Sequence, residues 1–119
     1  MSFREGIDDQ GTYYQINEVA GTTPIIFIHG VGLDHSIWSP QVEFFKNSTT
    51  IVYDLLGHGL STCASDKIEF EDFSKQIDGL LQILKIQKVI VIGFSLGGLI
   101  AAHYSSTRKN YVEKVILFG

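Results

Sequence analysis

The sequence predicts an α/β fold whose sheet is mostly parallel, and three observations lead to this class. Short apolar runs rich in β-branched residues recur along the chain at Pro24–Ile28, Thr50–Tyr53, Lys88–Ile92 and Lys114–Phe118. Runs without polar alternation are typical of strands buried on both faces of a sheet. Helical spacing fills the segments between them, and a hairpin pattern precedes them. Together these features predict helices on both faces of the sheet.

The first element in the chain is the hairpin. Two short runs, from Phe3 to Ile7 and from Thr12 to Val19, flank the turn-forming residues Asp8-Asp9-Gln10-Gly11. Strand-like runs that are separated by a short Asp- and Gly-containing turn favour antiparallel pairing. We therefore expect an antiparallel N-terminal hairpin that joins the parallel strands.

Three helices are expected between and after the later strands. The first has Ser39 as N-cap and Pro40 as first helical residue, with an apolar side from Val42, Phe44 and Phe45. The second is amphipathic, with apolar residues at three- and four-residue spacing: Phe70, Phe73, Ile77, Leu80, Leu81 and Leu84. The third contains small residues that allow close packing on the strands, and it ends near Arg108: Gly97, Gly98, Ala101 and Ala102.

Composition limits the classes of protein to consider. The 119 residues suit one domain, 1–119, and the net charge of −4 with no long basic run disfavours nucleic-acid partners. The single cysteine, Cys63, cannot form an intrachain disulfide. No apolar run approaches the ~20 residues that span a bilayer, so no membrane partner is expected. The N-terminus lacks a signal-peptide pattern, so we expect a cytoplasmic protein.

The strongest chemical signal is Gly93-Phe94-Ser95-Leu96-Gly97-Gly98, directly after a predicted buried strand and before a predicted helix. This G-x-S-x-G context is typical of a nucleophilic serine on a sharp strand-to-helix turn. Glycines two residues before and after Ser95 remove side chains that would collide there. The helix N-terminus favours developing negative charge. The alternative is a serine with only a structural role, as an ordinary helix N-cap.

A second glycine-rich turn, His29-Gly30-Val31-Gly32, follows another central strand. Acyl transfer needs amide donors that face the tetrahedral oxyanion. We expect the backbone amides of Leu96 and Val31 to supply them, and Gly30 and Gly32 to let the backbone approach closely. The alternative is a simple β-to-α turn.

A third motif, Asp54-Leu55-Leu56-Gly57-His58-Gly59-Leu60-Ser61, completes a recognisable order. With His29–Gly32 followed by Trp38, and with the serine turn, the chain resembles the N-terminal part of the α/β-hydrolase fold family. The resemblance is to the branch of carboxylesterases, enol-lactonases, carbon–carbon bond hydrolases and cofactor-free haloperoxidases. Leu56 departs from the pattern, since relatives often have proline there.

The resemblance implies that Ser95 is the nucleophile and that Val31 and Leu96 form the oxyanion hole. His29 and Asp54 would support the site, together with Gly30, Gly32, Gly93 and Gly97. The implied reaction is hydrolysis of a small ester, lactone, thioester or C–C substrate through an acyl-enzyme. It implies no organic cofactor and no metal, and the four histidines lack metal-ligand spacing. A nucleotide site is disfavoured because neither glycine turn completes its motif.

The sequence does not provide an obvious base for Ser95. His103 lies eight residues along the same helix, about 12 Å away at ~1.5 Å per residue, and Glu113 precedes the last strand. We expect both to be surface or packing residues. His35 and His58 lie on glycine-containing loops, where relatives have no catalytic base. The chain therefore resembles a truncated hydrolase core that lacks the last two strands and the cap.

Two expectations follow from this interpretation. Activity of this chain alone would be slight, and the main alternative is a catalytically silent fragment or binding module that retains the fold. The strand at 114–118 would be an exposed apolar edge, so we expect self-association through it or through an uncovered sheet face.

Overall fold

A computed structural model describes residues 2–63 and 66–119 of the protein. Its six strands are β1 Ser2–Ile7, β2 Tyr13–Glu18, β3 Ile25–Ile28, β4 Thr50–Tyr53, β5 Val89–Phe94 and β6 Val112–Phe118. Its α-helices are α1 Ser39–Phe44, α2 Phe70–Ile83 and α3 Leu96–Thr107, and a 3-10 helix covers His35–Trp38. The strands form one sheet in the order β1-β2-β4-β3-β5-β6. The pairs β3–β4, β3–β5 and β5–β6 are parallel, which confirms the predicted α/β class.

The N-terminal hairpin has the predicted turn. β1 pairs with β2 and β2 pairs with β4, both antiparallel. The Asp8 carboxylate accepts hydrogen bonds from the Gln10 and Thr12 amides, and Gly11 has φ +86°. Glycine adopts this left-handed backbone without steric cost, so Gly11 allows the chain to reverse.

Both faces of the parallel strands are covered, as the unbroken apolar runs predict. In β3, Ile26 and Ile28 belong to a core cluster that includes α2 and α3, and Ile25 and Phe27 belong to a second cluster on the other face with Trp38. Alternate strand residues point to opposite faces, so every residue of this strand needs an apolar side chain.

The first helix departs from its prediction in two details. It begins at Ser39, with Trp38 at the N-cap position, so Ser39 is not the N-cap and its hydroxyl donates to the Ser36 carbonyl. The preceding 3-10 helix was not predicted; its N-cap is Asp34, whose carboxylate accepts from the Ser36 amide. Phe44, the last residue of this six-residue helix, is exposed, whereas Val42 and the C-cap residue Phe45 pack against the second core cluster.

The predicted α2 and α3 are confirmed. Glu69 and Asp72 form a capping box at the start of α2, and Ile77, Leu80 and Leu81 are buried. No helix within 2–63 and 66–119 has the length and apolar character needed to cross a membrane.

Strand β6 lies at one edge of the sheet and pairs with β5. Its last four residues are between 41% and 53% exposed: Val115, Ile116, Leu117 and Phe118. The exposed apolar edge that the sequence predicts is therefore present in the structure.

Candidate functional site

Ser95 occupies the sharp turn between β5 and α3. Its backbone has φ 58° and ψ −118°, a conformation that side chains with a β-carbon rarely adopt. The turn is fixed on both sides, because the Ser95 amide donates to the Phe118 carbonyl and the Ser95 carbonyl accepts from the Gly98 amide. The Ser95 residue is exposed. The turn therefore presents the serine at the carboxyl edge of the sheet.

The glycines around Ser95 are required by close backbone contacts. A β-carbon on Gly93 would overlap the Gly97 carbonyl, and one on Gly97 would overlap the carbonyl oxygens of Ile28 and His29. Helix α3 consequently starts directly against the ends of β3 and β5. This close contact brings Ser95 to the loop that follows β3.

The loop after β3 runs beside the serine. A β-carbon on Gly30 would lie 3.2 Å from the Ser95 β-carbon. The Leu33 amide donates to the Gly30 carbonyl, and Gly32 has φ +76°, so this segment is a tight turn. Within residues 2–63 and 66–119, neither the Val31 amide nor the Leu96 amide has a hydrogen-bond acceptor. One free N–H group thus lies on the loop after β3 and a second lies at the start of α3, directly after Ser95.

His29 is fully buried and both of its ring nitrogens are used. The Leu55 amide donates to Nε2 at 3.0 Å, so the proton is on Nδ1, which donates to the Gly30 carbonyl at 2.7 Å. Burial lowers the pKa of the His29 imidazole below its ordinary value of 6.5. His29 is therefore a neutral residue that joins the loop after β3 to the loop after β4.

Asp54 also joins the loop after β3 to the loop after β4. Its fully buried carboxylate accepts from the His35 amide and from His35 Nδ1, both at 2.8 Å, and from the Leu60 amide at 2.9 Å. A β-carbon on Gly59 would overlap this carboxylate, so the loop can wrap around Asp54 only with glycine at that position.

Sequence reasoning missed Gln76, a buried polar residue on the apolar side of α2. Its amide group donates to the Asp54 carbonyl at 3.0 Å, and its Oε1 accepts from the Leu56 amide at 3.3 Å. A proline at position 56 would have no N–H for this bond. Leu56 and Gln76 thus form a matched pair in this chain, and a glutamine among the apolar positions of α2 was the available signal.

The hydrogen bonds of the other histidines are with groups other than the serine. His35 Nδ1 is bound to Asp54 and its Nε2 lies 3.4 Å from the Gln15 amide nitrogen, while His58 Nδ1 donates to the Leu56 carbonyl. His103 contacts Glu71 and Phe70 on α2, as expected for a packing residue. In the described part of the chain, no histidine nitrogen lies within hydrogen-bond distance of the Ser95 hydroxyl.

One group of possible metal ligands occurs among the described residues. It consists of Asp34, His35 and Asp54, with ligand atoms within 4.8 Å of one another. Each residue already has a partner, because Asp54 binds His35 and Asp34 accepts from the Ser36 amide and hydroxyl. These hydrogen bonds explain why the possible ligand atoms of the three residues lie close together.

Comparison with known proteins agrees with this geometry. The family described as the alpha/beta hydrolase fold matches residues 23–119. The chain belongs to the α/β-hydrolase fold family.

Two curated relatives come from Acinetobacter baylyi. The chain is 34% identical to (E)-2-((N-methylformamido)methylene)succinate hydrolase, over 81% of this chain and 37% of that protein. It is 36% identical to 3-oxoadipate enol-lactonase 1, over 85% of this chain and 41% of that protein.

Among solved structures, an enol-lactonase from Burkholderia xenovorans matches with TM-score 0.85 and 26% identity, over 94% of this chain and 45% of that one. A carboxylesterase structure from Nitrososphaera gargenis matches with TM-score 0.87 and 25% identity, over 96% of this chain and 44% of that one. The chain thus spans less than half the length of these relatives.

Proposed function

We propose that this chain supplies the nucleophile and oxyanion hole of a serine hydrolase that acts on small ester, lactone, thioester or C–C substrates. The observation that carries the proposal is the strained backbone of Ser95, φ 58° and ψ −118°, between a buried strand and a helix and against the Gly30 turn. Strained residues persist where the surrounding structure holds them, and they cluster at active sites. The names of the enol-lactonase and succinate hydrolase relatives support small carbonyl substrates.

In the proposed reaction, the Ser95 Oγ attacks the carbonyl carbon of the substrate. The electron pair of the C=O bond moves to the oxygen, which accepts hydrogen bonds from the Val31 and Leu96 amides. The oxyanion then re-forms the C=O bond as the bond to the leaving group breaks, and the leaving group keeps that electron pair and takes up the proton removed from Ser95. Water attacks the resulting acyl-enzyme, which releases the acid and returns a proton to Ser95. His29 and Asp54 hold the two loops, and Gly30, Gly32, Gly93 and Gly97 permit their approach.

A base must remove the Ser95 proton, and the proposal assigns it and its orienting carboxylate to polypeptide outside these 119 residues. The rings of the four described histidines, His29, His35, His58 and His103, all form their hydrogen bonds with groups other than Ser95. Loss of the base costs about 10⁶ in kcat in serine hydrolases. This chain alone should therefore react slowly.

The test is labelling with a fluorophosphonate probe, measured by intact mass and by mapping of the modified peptide. We expect slow modification of Ser95, accelerated by added imidazole because a free base can replace the missing one. Ser95→Ala should abolish the adduct, whereas Ser106→Ala, an exposed hydroxyl on α3, should leave it unchanged. Equal and negligible labelling of all three proteins would support the alternative, a catalytically silent fragment or binding module.

The proposal includes self-association through the edge strand β6. This strand pairs only with β5 among the described strands, and its residues from Val115 to Phe118 are exposed. An exposed apolar edge is a template for pairing with another chain. Light scattering after size exclusion should detect a dimer that Ile116→Lys converts to a monomer. A monomeric parent chain at micromolar concentration would contradict this.

The cytoplasmic location remains a prediction.

A further inference from the structure

His35 lies between the N-terminal hairpin and the loops that carry the proposed site. It begins the 3-10 helix that follows the loop after β3, and its side chain is 19% exposed. Its ring packs against the Tyr13 ring of β2, with the two ring centroids 5.2 Å apart, and it also contacts the buried Asp54 carboxylate. The side chain therefore connects the hairpin to the carboxyl edge of the sheet.

A chain of hydrogen bonds determines which ring nitrogen of His35 has the proton. The Tyr13 hydroxyl donates to Glu5, so it can only accept from Gln15, whose amide nitrogen lies 2.9 Å away. The same nitrogen lies 3.4 Å from His35 Nε2 and can only donate, so Nε2 accepts. The proton is therefore on Nδ1, which donates to Asp54 at 2.8 Å.

Both partners of the His35 ring disfavour a half-turn about its bond to Cβ. Such a rotation exchanges Nδ1 with Cδ2 and Nε2 with Cε1. The Asp54 carboxylate would then lose a donor in a fully buried position, where a lost hydrogen bond costs the most, and the Gln15 N–H would face a C–H group. The ring is therefore held in one orientation by residues on two different elements.

The loop after β3 is anchored at both ends. At its start, the buried His29 ring accepts a hydrogen bond from the loop after β4, and at its end both the amide and the ring of His35 donate to Asp54. In the described part of the chain, the hydrogen bonds of residues 31–34 stay within the segment 30–37. The proposed oxyanion amide of this loop therefore depends on the two anchors for its position.

We propose that His35 is a positioning residue, because its ring bond to Asp54 holds the Val31 amide in place. Gln15 keeps the ring in the orientation that this bond requires. The inference rests on the proposed function of Ser95 and deepens it by naming what fixes the oxyanion hole. Donors stabilise an oxyanion only when they are already aimed at its position, and removal of one costs about 10²–10³ in kcat. A loosened loop should lose part of that factor.

The first experiment measures the order of the loop in the full chain without any reaction. Backbone nitrogen-15 relaxation should give Val31 an order parameter close to the ~0.85 of rigid backbone, and His35→Leu should lower it below about 0.6. His35→Asn should keep the parent value, because its side-chain amide can take the place of Nδ1 and donate to Asp54. His103→Leu is the matched control, since His103 also contacts a carboxylate, that of Glu71, but joins α3 to α2. An unchanged order parameter in folded His35→Leu would overturn the proposal.

The second experiment measures the rate of fluorophosphonate labelling of Ser95 with added imidazole. His35→Leu should slow labelling roughly tenfold, because the loop amide then meets the developing oxyanion less often. His35→Asn should restore most of the parent rate, and His103→Leu should leave the rate unchanged. Near-UV circular dichroism checks that each variant retains its packing. Equal rates for the parent chain and His35→Leu, or an equal loss in His35→Asn, would contradict the positioning role.

The role of Gln15 has a separate test, which also serves if His35→Leu does not fold. Two-bond proton–nitrogen spectra at neutral pH should show His35 with a proton on Nδ1 and none on Nε2. Gln15→Leu removes the donor to Nε2 and should slow labelling roughly threefold. Asn17→Leu, the same change two residues along the same face of β2, should not. A proton on Nε2 in the parent chain, or equal rates for these two variants, would overturn the role of Gln15.

The two proposals fail in different ways. Loosening of Val31 in His35→Leu without labelling of Ser95 in the parent chain would overturn the hydrolase proposal and leave His35 as the anchor of this loop. Labelling of Ser95 that His35→Leu does not slow would overturn the positioning proposal and leave the nucleophile.

Discussion

Two hydrogen-bonded carboxylate networks lie in different parts of the molecule and differ in burial. The Asp54 network, formed by Asp54, His35 and the Leu60 amide, lies at the carboxyl edge of the sheet with its carboxylate fully buried. The Arg108 network, formed by Arg108, Asp78 and Glu71, joins α2 to α3 with carboxylates 38% and 41% exposed.

The bond lengths in the two networks are similar. His35 Nδ1 lies 2.8 Å from Asp54, and Arg108 lies 2.7 Å from Asp78 and 2.8 Å from Glu71. Water can replace a lost partner in the Arg108 network, whereas a donor left alone beside Asp54 loses its hydrogen bond outright. Burial, and not bond length, therefore decides how much stability is lost when a network loses one partner.

The largest expected effect is therefore at Asp54. Asp54→Ala leaves the amides of His35 and Leu60 without an acceptor, and we expect a loss of about 4 kcal/mol in unfolding free energy. Glu71→Ala is the matched change in the Arg108 network and should cost much less, because this carboxylate is 41% exposed and water can replace it. Urea unfolding of both variants measures the difference. Equal losses would contradict the importance of burial.

The next effect contrasts two helical glycines. Gly97→Ala puts a methyl group on backbone carbonyl oxygens that cannot move aside easily, and we expect a loss of about 3 kcal/mol and weaker labelling of Ser95. A β-carbon at Gly79 in α2 would contact only the flexible Gln10 side chain. Because alanine has a higher helix propensity than glycine, Gly79→Ala should leave stability unchanged or raise it by about 0.5 kcal/mol. Thermal and denaturant unfolding compare them. A tolerated Gly97→Ala would show that α3 can shift away from β3.

A smaller effect compares two strained non-glycine residues. Ser95→Gly relieves positive φ at the site and should raise the unfolding free energy by about 1 kcal/mol, while Ser95→Ala, which retains a β-carbon, should not. Lys85, with φ 59° at the end of α2, should also gain stability on change to glycine but keep Ser95 labelling. Loss of stability in Ser95→Gly would argue that the turn is not strained.

The smallest effects are two separate dependences of stability on pH. Burial lowers the pKa of His29, so the unfolded chain binds this proton more readily and stability should fall as pH drops below about 6.5. Hydrogen bonds from the Arg108 guanidinium lower the pKa of Glu71 below its ordinary value of 4.5. The Arg108 network should therefore lose its contribution to stability at a lower pH than His29 does.

Denaturant unfolding between pH 2.5 and pH 8 separates these two windows. His29→Gln keeps an acceptor and a donor but does not titrate, so it should flatten the fall in stability that begins below about pH 6.5. Glu71→Gln should leave that window unchanged. An identical pH profile for His29→Gln and the parent chain would contradict the assignment to His29.

Much of the fold follows from local sequence. The apolar runs predict the parallel strands because a strand covered on both faces cannot alternate, and Ile25, Ile26, Phe27 and Ile28 are all buried. The turn at Asp8–Gly11 and helix α2 follow from turn chemistry and helical spacing in the same way. The start of α1 was misplaced by one residue because Asp34 caps an additional 3-10 turn ahead of it.

The candidate site was predictable only in part. The order of the three glycine motifs predicts Ser95, His29 and Asp54 as site residues through the family resemblance, and each of them directly follows a strand of the sheet. The contacts of Gln76 were not predictable, because they depend on which loop α2 packs against.

The sequence by itself determined the α/β class, the serine turn and the need for glycine around it, because these depend on neighbours within a few residues. The tertiary structure alone decided that His29 is neutral, that His35 binds Asp54 and that Gln76 contacts the loop after β4. These properties arise between residues far apart in the chain, where burial removes water and leaves each polar group only the partners that packing provides.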